Sequence, residues 1–147
     1  MRLHLRFAVA FIIAALYCVS LSVPSIEFVE GIPMTGSEAF SESFRVLIGC
    51  AVVEWDWWVF GGPWMANPAL WIAGIFLLLG RFRVSLVSAA CGVSWAFGVF
   101  VVFTSAVIEH PGYWLWLGSL LGLTIVSGVA ALNVRRRSKQ SRLARTP

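Results

Sequence analysis

A chain of 147 residues that is 59% hydrophobic and only 12% charged, with a mean hydropathy of +0.85, lies outside the range of soluble domains, where apolar usage is about 45–50%. A fold this small cannot hide so much apolar surface from water, so most of the chain is expected to have lipid as its solvent. The net charge of +4 does not mark a nucleic-acid binder, because no soluble basic domain is present to hold one; it reads as a topology signal.

The first apolar segment, about Phe7 to Val23, follows Arg2 and Arg6. As a helix its seventeen residues reach about 26 Å, slightly short of a hydrocarbon core of about 30 Å. It reads as a retained anchor; the alternative is a signal peptide, since Ser20-Leu21-Ser22 is a small-x-small triplet. Residues 24–43 are acidic and interrupted by Pro24, Gly31, Pro33 and Gly36, with Ser37 as the expected cap of a helix beginning near Glu38. The stretch Phe44–Phe60 is apolar, but Arg45, Glu54 and Asp56 divide it into pieces too short to cross a bilayer. A fifth span here would also put the cluster Arg135–Arg145 outside, against the positive-inside tendency. The stretch is therefore predicted to be an amphipathic, Trp-rich helix at the outer interface, within an outer loop over 24–63.

Asn67-Pro68 predicts a helix start, with Asn as N-cap and Pro at the first helical position, in a span over about 64–80. The tight turn Gly80-Arg81-Phe82-Arg83 makes this span and the next, about 84–103, antiparallel neighbours. A fourth span over about 112–134 is followed by the polar tail 135–147, expected to be disordered and to dock on anionic lipid. The seven carboxylates fall in segments 24–68 and 104–111. Ten of the eleven basic residues fall at the N-terminus, in the 81–83 turn and in the tail; Arg45 is the exception. This segregation places both termini in the cytoplasm.

Candidate chemistry gathers on the outer face. Glu54, Asp56, Trp57, Trp58, Asn67, Glu109 and His110 can form an aromatic-lined cavity for a lipid, quinone or amphiphile, or a carboxylate–histidine group for metal or acid–base work. One histidine among scattered carboxylates favours the plainer alternative, an interfacial tryptophan anchor beside a solvated turn. The spans hold no Asp, Glu, Lys, Arg or His, which argues against proton relays and intramembrane proteolysis. No metal or cofactor is expected. Three cysteines without CxxC spacing indicate neither a disulfide framework nor a redox site, and a Cys18–Cys50 bridge is the less favoured arrangement. Ser88 and Gly92 lie on a small-xxx-small stripe, and Gly118 with Gly122 forms a GxxxG; both are read as packing within the bundle in preference to dimerisation.

The segments PWMANPALWIAGIFLLLGR (63–81) and EHPGYWLWLGSLLGL (109–123) resemble a family of small bacterial inner-membrane proteins of unknown function. That family shares a W-[LM]-A-N-P helix opening, a basic turn and a G-Y-x-L-W-L-x-S entry into the last helix. The resemblance covers residues 44–134, and the first span more weakly. It implies a bacterial source and a four-helix layout, and brings no functional residues.

The expected protein is an all-α, single-domain, multi-pass bundle of four transmembrane helices in a bacterial inner membrane. Its expected role is that of a non-enzymatic accessory, assembly or regulatory partner of another membrane protein. The alternative is a small oligomeric transporter or a lipid- or amphiphile-binding protein. The expected partners are the lipid bilayer and either another membrane protein or further copies of this chain, and no nucleic acid is expected.

Overall fold

In the computed structural model, which describes residues 1, 3–29, 32–49, 65–102 and 109–143, the chain is mostly helical. Helix α1 spans Leu3–Ser22, and an antiparallel hairpin of β1 (Pro24–Val29) and β2 (Ile32–Thr35) leads into α2 (Gly36–Gly49). Helices α3 (Ala66–Leu78), α4 (Phe82–Val102) and α5 (Pro111–Leu143) follow. Among the described residues, α1, α4 and α5 are long and apolar enough to cross a membrane, while α3 is a shorter apolar helix.

Helices α1, α3, α4 and α5 form an up-and-down bundle in which α4 packs broadly on α3 and α5, and α1 packs on α5 and α3. Each buries one seam. In α3 it is Ala66, Leu70, Ala73 and Leu77; in α4 it is Phe82, Ser85, Ala89, Gly92, Ala96 and Val99. The alternating spacing of three and four residues keeps such a seam on one side of a helix over several turns. In a bilayer, close contact and hydrogen bonds would do the holding, since apolar surface gains little by leaving lipid. Small side chains at Ala66, Ala73, Ala89 and Ala96 let the backbones approach, and each is fully buried. The outer surface is apolar on every helix: Phe11, Ile12, Ile75, Val87, Ile125 and Val129 are all more than half exposed. A soluble monomer rarely exposes contiguous apolar surface on this scale.

The turn after α3 is a Schellman motif. Gly80 N–H donates to the Leu77 carbonyl at 3.1 Å and Arg81 N–H to the Phe76 carbonyl at 2.9 Å, with Gly80 at φ +75°. The side chain of Arg6 closes over this corner, donating to the Leu78 carbonyl at 3.4 Å and lying 5.1 Å from the Phe82 ring centre. Gly80→Ala should therefore lower stability by about 1–2 kcal/mol, because Ala is strained at positive φ. Its Cβ would also meet the Arg6 guanidinium at 2.5 Å. Unfolding in mixed detergent–dodecyl sulfate micelles would measure the loss.

Four features depart from the sequence reading. The loop after α1 is not merely interrupted: Ser25, Ile26 and Glu27 alternate in polarity, and β1 pairs with β2 in the register Ile26↔Met34 and Glu27↔Pro33. The fold is therefore mainly helical rather than wholly so. A lone hairpin is marginal in water, but Ile26 is anchored against Val99 and Tyr113. The cap of α2 is Thr35, not Ser37, in a reciprocal capping box: Thr35 N–H donates to the Glu38 carboxylate at 2.8 Å, and Glu38 N–H to Thr35 Oγ1 at 3.4 Å. Asn67 is not an N-cap either; that position is Met65, which makes no side-chain cap bond. Pro68 fits the first turn of α3 because amides there have no helical acceptor to lose. Finally, residues 135–143 of the tail, expected to be disordered, continue α5. Arg, Lys and Gln favour helix, and cations near a helix C-terminus are favoured by its dipole. The latter part of the predicted interfacial helix, 50–60, lies outside the described residues.

The capping box gives α2 a pH dependence. Hydrogen bonds from the Thr35 amide and hydroxyl hold the Glu38 carboxyl below the usual glutamate range. Its contribution is complete above the ordinary glutamate value of about 4.3 and is lost as pH falls through the lowered folded value. The protection factors of the Ser37–Ser41 amides, each taken relative to intrinsic exchange at the same pH, should therefore fall in acid, and Glu38→Gln should abolish that fall.

Candidate functional site

The two ends of the bundle differ in charge. At one end, the basic end, lie Arg6, the Arg81–Arg83 turn and the α5 extension with Arg135, Arg136, Arg137 and Lys139. The hairpin end carries all four described carboxylates, Glu27, Glu38, Glu42 and Glu109. Arg45, the cation that breaks the pattern in sequence, lies there too and pairs with Glu42 at 2.9 Å, both exposed. Such a pair contributes little to stability, but it neutralises the exception locally.

Beneath the hairpin end is a polar hub that ties three helices together. Asn67, at the start of α3, is 7% exposed, and its Oδ1 accepts from Tyr17 Oη of α1 and from Trp116 Nε1 of α5, each at 3.1 Å. Two donors converging on one atom identify it as the amide oxygen. Around it lie aromatic rings: Tyr17 meets Trp71 edgewise with centroids 6.4 Å apart at 88°, and Trp71 in turn meets Phe40 of α2 at a 37° tilt. A second aromatic group gathers Phe100, Tyr113, Trp114 and Trp116, with the buried Tyr113 hydroxyl donating to the Ala96 carbonyl at 2.8 Å. Deeper in the bundle, Ser85 Oγ donates to the Ala73 carbonyl at 2.7 Å and lies 2.6 Å from Ser127 Oγ, joining α3, α4 and α5. These are hydrogen bonds among neutral groups, suited to fixing helix register.

The predicted site residues separate. His110 lies near the hairpin, its Nε2 3.8 Å from a Glu27 carboxylate oxygen, and Glu109 is exposed beside it. Asn67 belongs to the buried hub. Glu54, Asp56, Trp57 and Trp58 lie outside the described residues, as do Trp55, Trp64 and Cys50. Among the described residues, no three of His, Cys, Asp and Glu are grouped to hold a metal ion. Cys18 and Cys91 are free thiols on the exposed surface. An open groove of about 430 Å³ runs between β2 residues 32–34 and the α2 face bearing Ser37, Glu38, Ser41 and Glu42.

The packing residues separate as well. Gly92 is buried where α4 meets α3 and α5, and Ser88 is half-buried beside that seam. Gly118 is exposed, with no atom within 4 Å of the position a Cβ would take, while a Cβ at Gly122 would meet Ile13 at 3.9 Å. The GxxxG is thus not a close internal contact; its first glycine faces outward because the buried seam of α5 runs through Ser119, Leu120, Leu123 and Ser127. Glu27, Tyr17 and Trp116 carry no local signal that marks them as site residues. Their partners lie 83, 50 and 49 positions away in sequence, beyond any local motif.

No family model matches this chain, and neither a curated protein nor a solved structure matches it.

Proposed function

We propose that this chain is a four-span integral membrane protein of a bacterial inner membrane, with both termini cytoplasmic, acting as a non-enzymatic accessory, assembly or regulatory partner of another membrane protein. The observation that carries the reading is the contrast, among the described residues, between an interior of buried apolar and neutral polar side chains and two charged ends. Leu77, Leu120 and Leu123 are all but fully buried, and the interior polar groups are spent on one another. The ionisable groups among the described residues, other than tyrosine and cysteine, stand at the ends, where other molecules reach them. In this reading α3, about 20 Å long, crosses with the help of locally thinned lipid and the snorkelling side chains of Arg81 and Arg83. Helix α1 belongs to the bundle through Tyr17 and Arg6, which favours a retained anchor over a cleaved signal.

Orientation is tested in a chain whose native cysteines are replaced by alanine. An impermeant maleimide on intact cells should label a single cysteine introduced at Ser37 and leave one at Ser138 unlabelled until lysis; the reverse pattern would overturn the topology. For the role, affinity purification in mild detergent should yield a stable complex with a second membrane protein. A homo-oligomer carrying a co-purified amphiphile would instead support the transporter or lipid-binding alternative.

A further inference from the structure

We propose that the basic end is a binding surface for anionic phospholipid headgroups, built from the α5 extension and the α3–α4 turn. The inference rests on the membrane reading above and names the ligand of its cytoplasmic face.

The length of α5 sets the depth of its cations. Its 33 residues measure about 50 Å, against a hydrocarbon core of about 30 Å. If the apolar stretch 112–134 fills the core, Arg135–Lys139 occupies the next 7 Å or so of helix, which matches the thickness of one headgroup layer, about 5–8 Å. Arg135 and Lys139 are four residues apart and share a helix face, with Arg136 flanking it. A disordered tail would spread these charges through the solvent. A helix continuous with the span holds them at phosphate depth.

The neighbouring turn supplies a second pair of cations. The Ser85–Ser127 contact fixes the register of α4 against α5, with Leu86 beside Gly128 one step along. Arg81 lies four residues before Ser85 and Arg135 eight after Ser127, about 6 and 12 Å along the bundle axis, so the two levels differ by about 6 Å. Long basic side chains bridge that interval. Arg6 is excluded from the surface because its guanidinium is spent on the Met1 and Leu78 carbonyls and the Phe82 ring.

Charge complementarity selects the ligand. Arg81, Arg83, Arg135, Arg136, Arg137 and Lys139 are all exposed, and among the described residues none of the six makes a salt bridge. Every described carboxylate lies at the opposite end. Six exposed cations with no counter-charge among the described residues attract an external anion, and the phosphate at that depth is the lipid's.

The test uses the full chain in mild detergent and native mass spectrometry with phosphatidylglycerol or phosphatidylcholine added. The protein should retain phosphatidylglycerol over phosphatidylcholine by about tenfold or more. The variant R135Q/R136Q/R137Q/K139Q should lose that preference, and R81Q/R83Q should weaken it. Glutamine keeps these exposed positions helical, so lost binding would not reflect lost fold. A preference undiminished in the fourfold variant would overturn the proposal. So would displacement of the lipid by inorganic phosphate at equal concentration, which would mark a free-anion site, or by a short RNA, which would mark a nucleic-acid face. Alkaline carbonate extraction separates the two levels of failure. Protein released from membranes would refute the membrane reading itself, whereas carbonate-resistant protein without lipid preference would refute only the headgroup surface.

Discussion

Replacing Asn67 with leucine is expected to destabilise the bundle by about 2 kcal/mol, more than removing either of the donors that Asn67 serves. The side chains are similar in size, so the loss is one of polarity. Tyr17 Oη and Trp116 Nε1 each donate to the single Asn67 oxygen at 3.1 Å, and leucine leaves the buried hydroxyl and the half-buried indole without that acceptor. Orphaning a buried donor costs about 1–3 kcal/mol in a soluble protein. Interhelical hydrogen bonds in membranes average only about 0.6 kcal/mol, because unassembled helices find other partners, so in the proposed membrane setting the lower part of that range applies. Tyr17→Phe and Trp116→Phe each remove one donor while leaving the acceptor occupied by the other, and should cost about 1 kcal/mol or less on that hydrogen-bond scale. The diagnostic is the sign of the coupling. Adding Tyr17→Phe to Asn67→Leu should recover stability, since the hydroxyl that leucine stranded is gone. Unfolding in mixed micelles measures all four species of the cycle, and strict additivity would show that the hub is not a coupled unit.

The hub also marks the limit of what is legible in the sequence. Segregated charges and apolar lengths point to three long apolar helices and the shorter α3, their alternating direction, and the sorting of the described acids and bases to opposite ends, because those properties are local or cumulative. The choice among competing local rules is harder. Asn67-Pro68 satisfies the pattern of a cap followed by a first-turn proline, yet Pro68 is equally at ease two residues deeper, where its missing N–H costs nothing. That freedom lets the Asn67 side chain turn inward to partners 50 and 49 positions away. Pro24, Gly31 and Pro33 read as interruptions, which hides the alternation of Ser25, Ile26 and Glu27 that makes β1. Thr35 with Glu38 is a capping box by spacing alone, but Ser37, nearer to the acidic first turn, competes for the same role. The polar composition of the tail suggests disorder, whereas its Arg, Lys and Gln residues favour a helix once α5 supplies the nucleus.

Gly92 and Gly118 should respond in opposite ways to the same enlargement. A Cβ at Gly92 would stand 2.6 Å from Leu120 Cδ2, 3.4 Å from Ala69 Cβ and 3.5 Å from the Ala66 carbonyl oxygen. Leu120 is fully buried, so its Cδ2 can yield only by a rotamer change against packed neighbours, and the other two contacts belong to the wall of α3. Gly92→Ala is expected to cost about 1 kcal/mol, with Leu120 yielding by a rotamer change, and Gly92→Ile about 3 kcal/mol or loss of assembly, because a branched side chain must push α3 and α5 apart together. Gly118→Ile meets open space and should change stability by less than about 0.5 kcal/mol, as should Gly98→Ile on α4. The comparison isolates packing from helix propensity, since all three glycines lie in helix interiors and gain the same side chain. Equal losses at Gly92 and Gly118 would mean that the small-residue seam of α4 does not set the spacing of the bundle. A loss at Gly118 alone would move the close contact to the GxxxG face of α5.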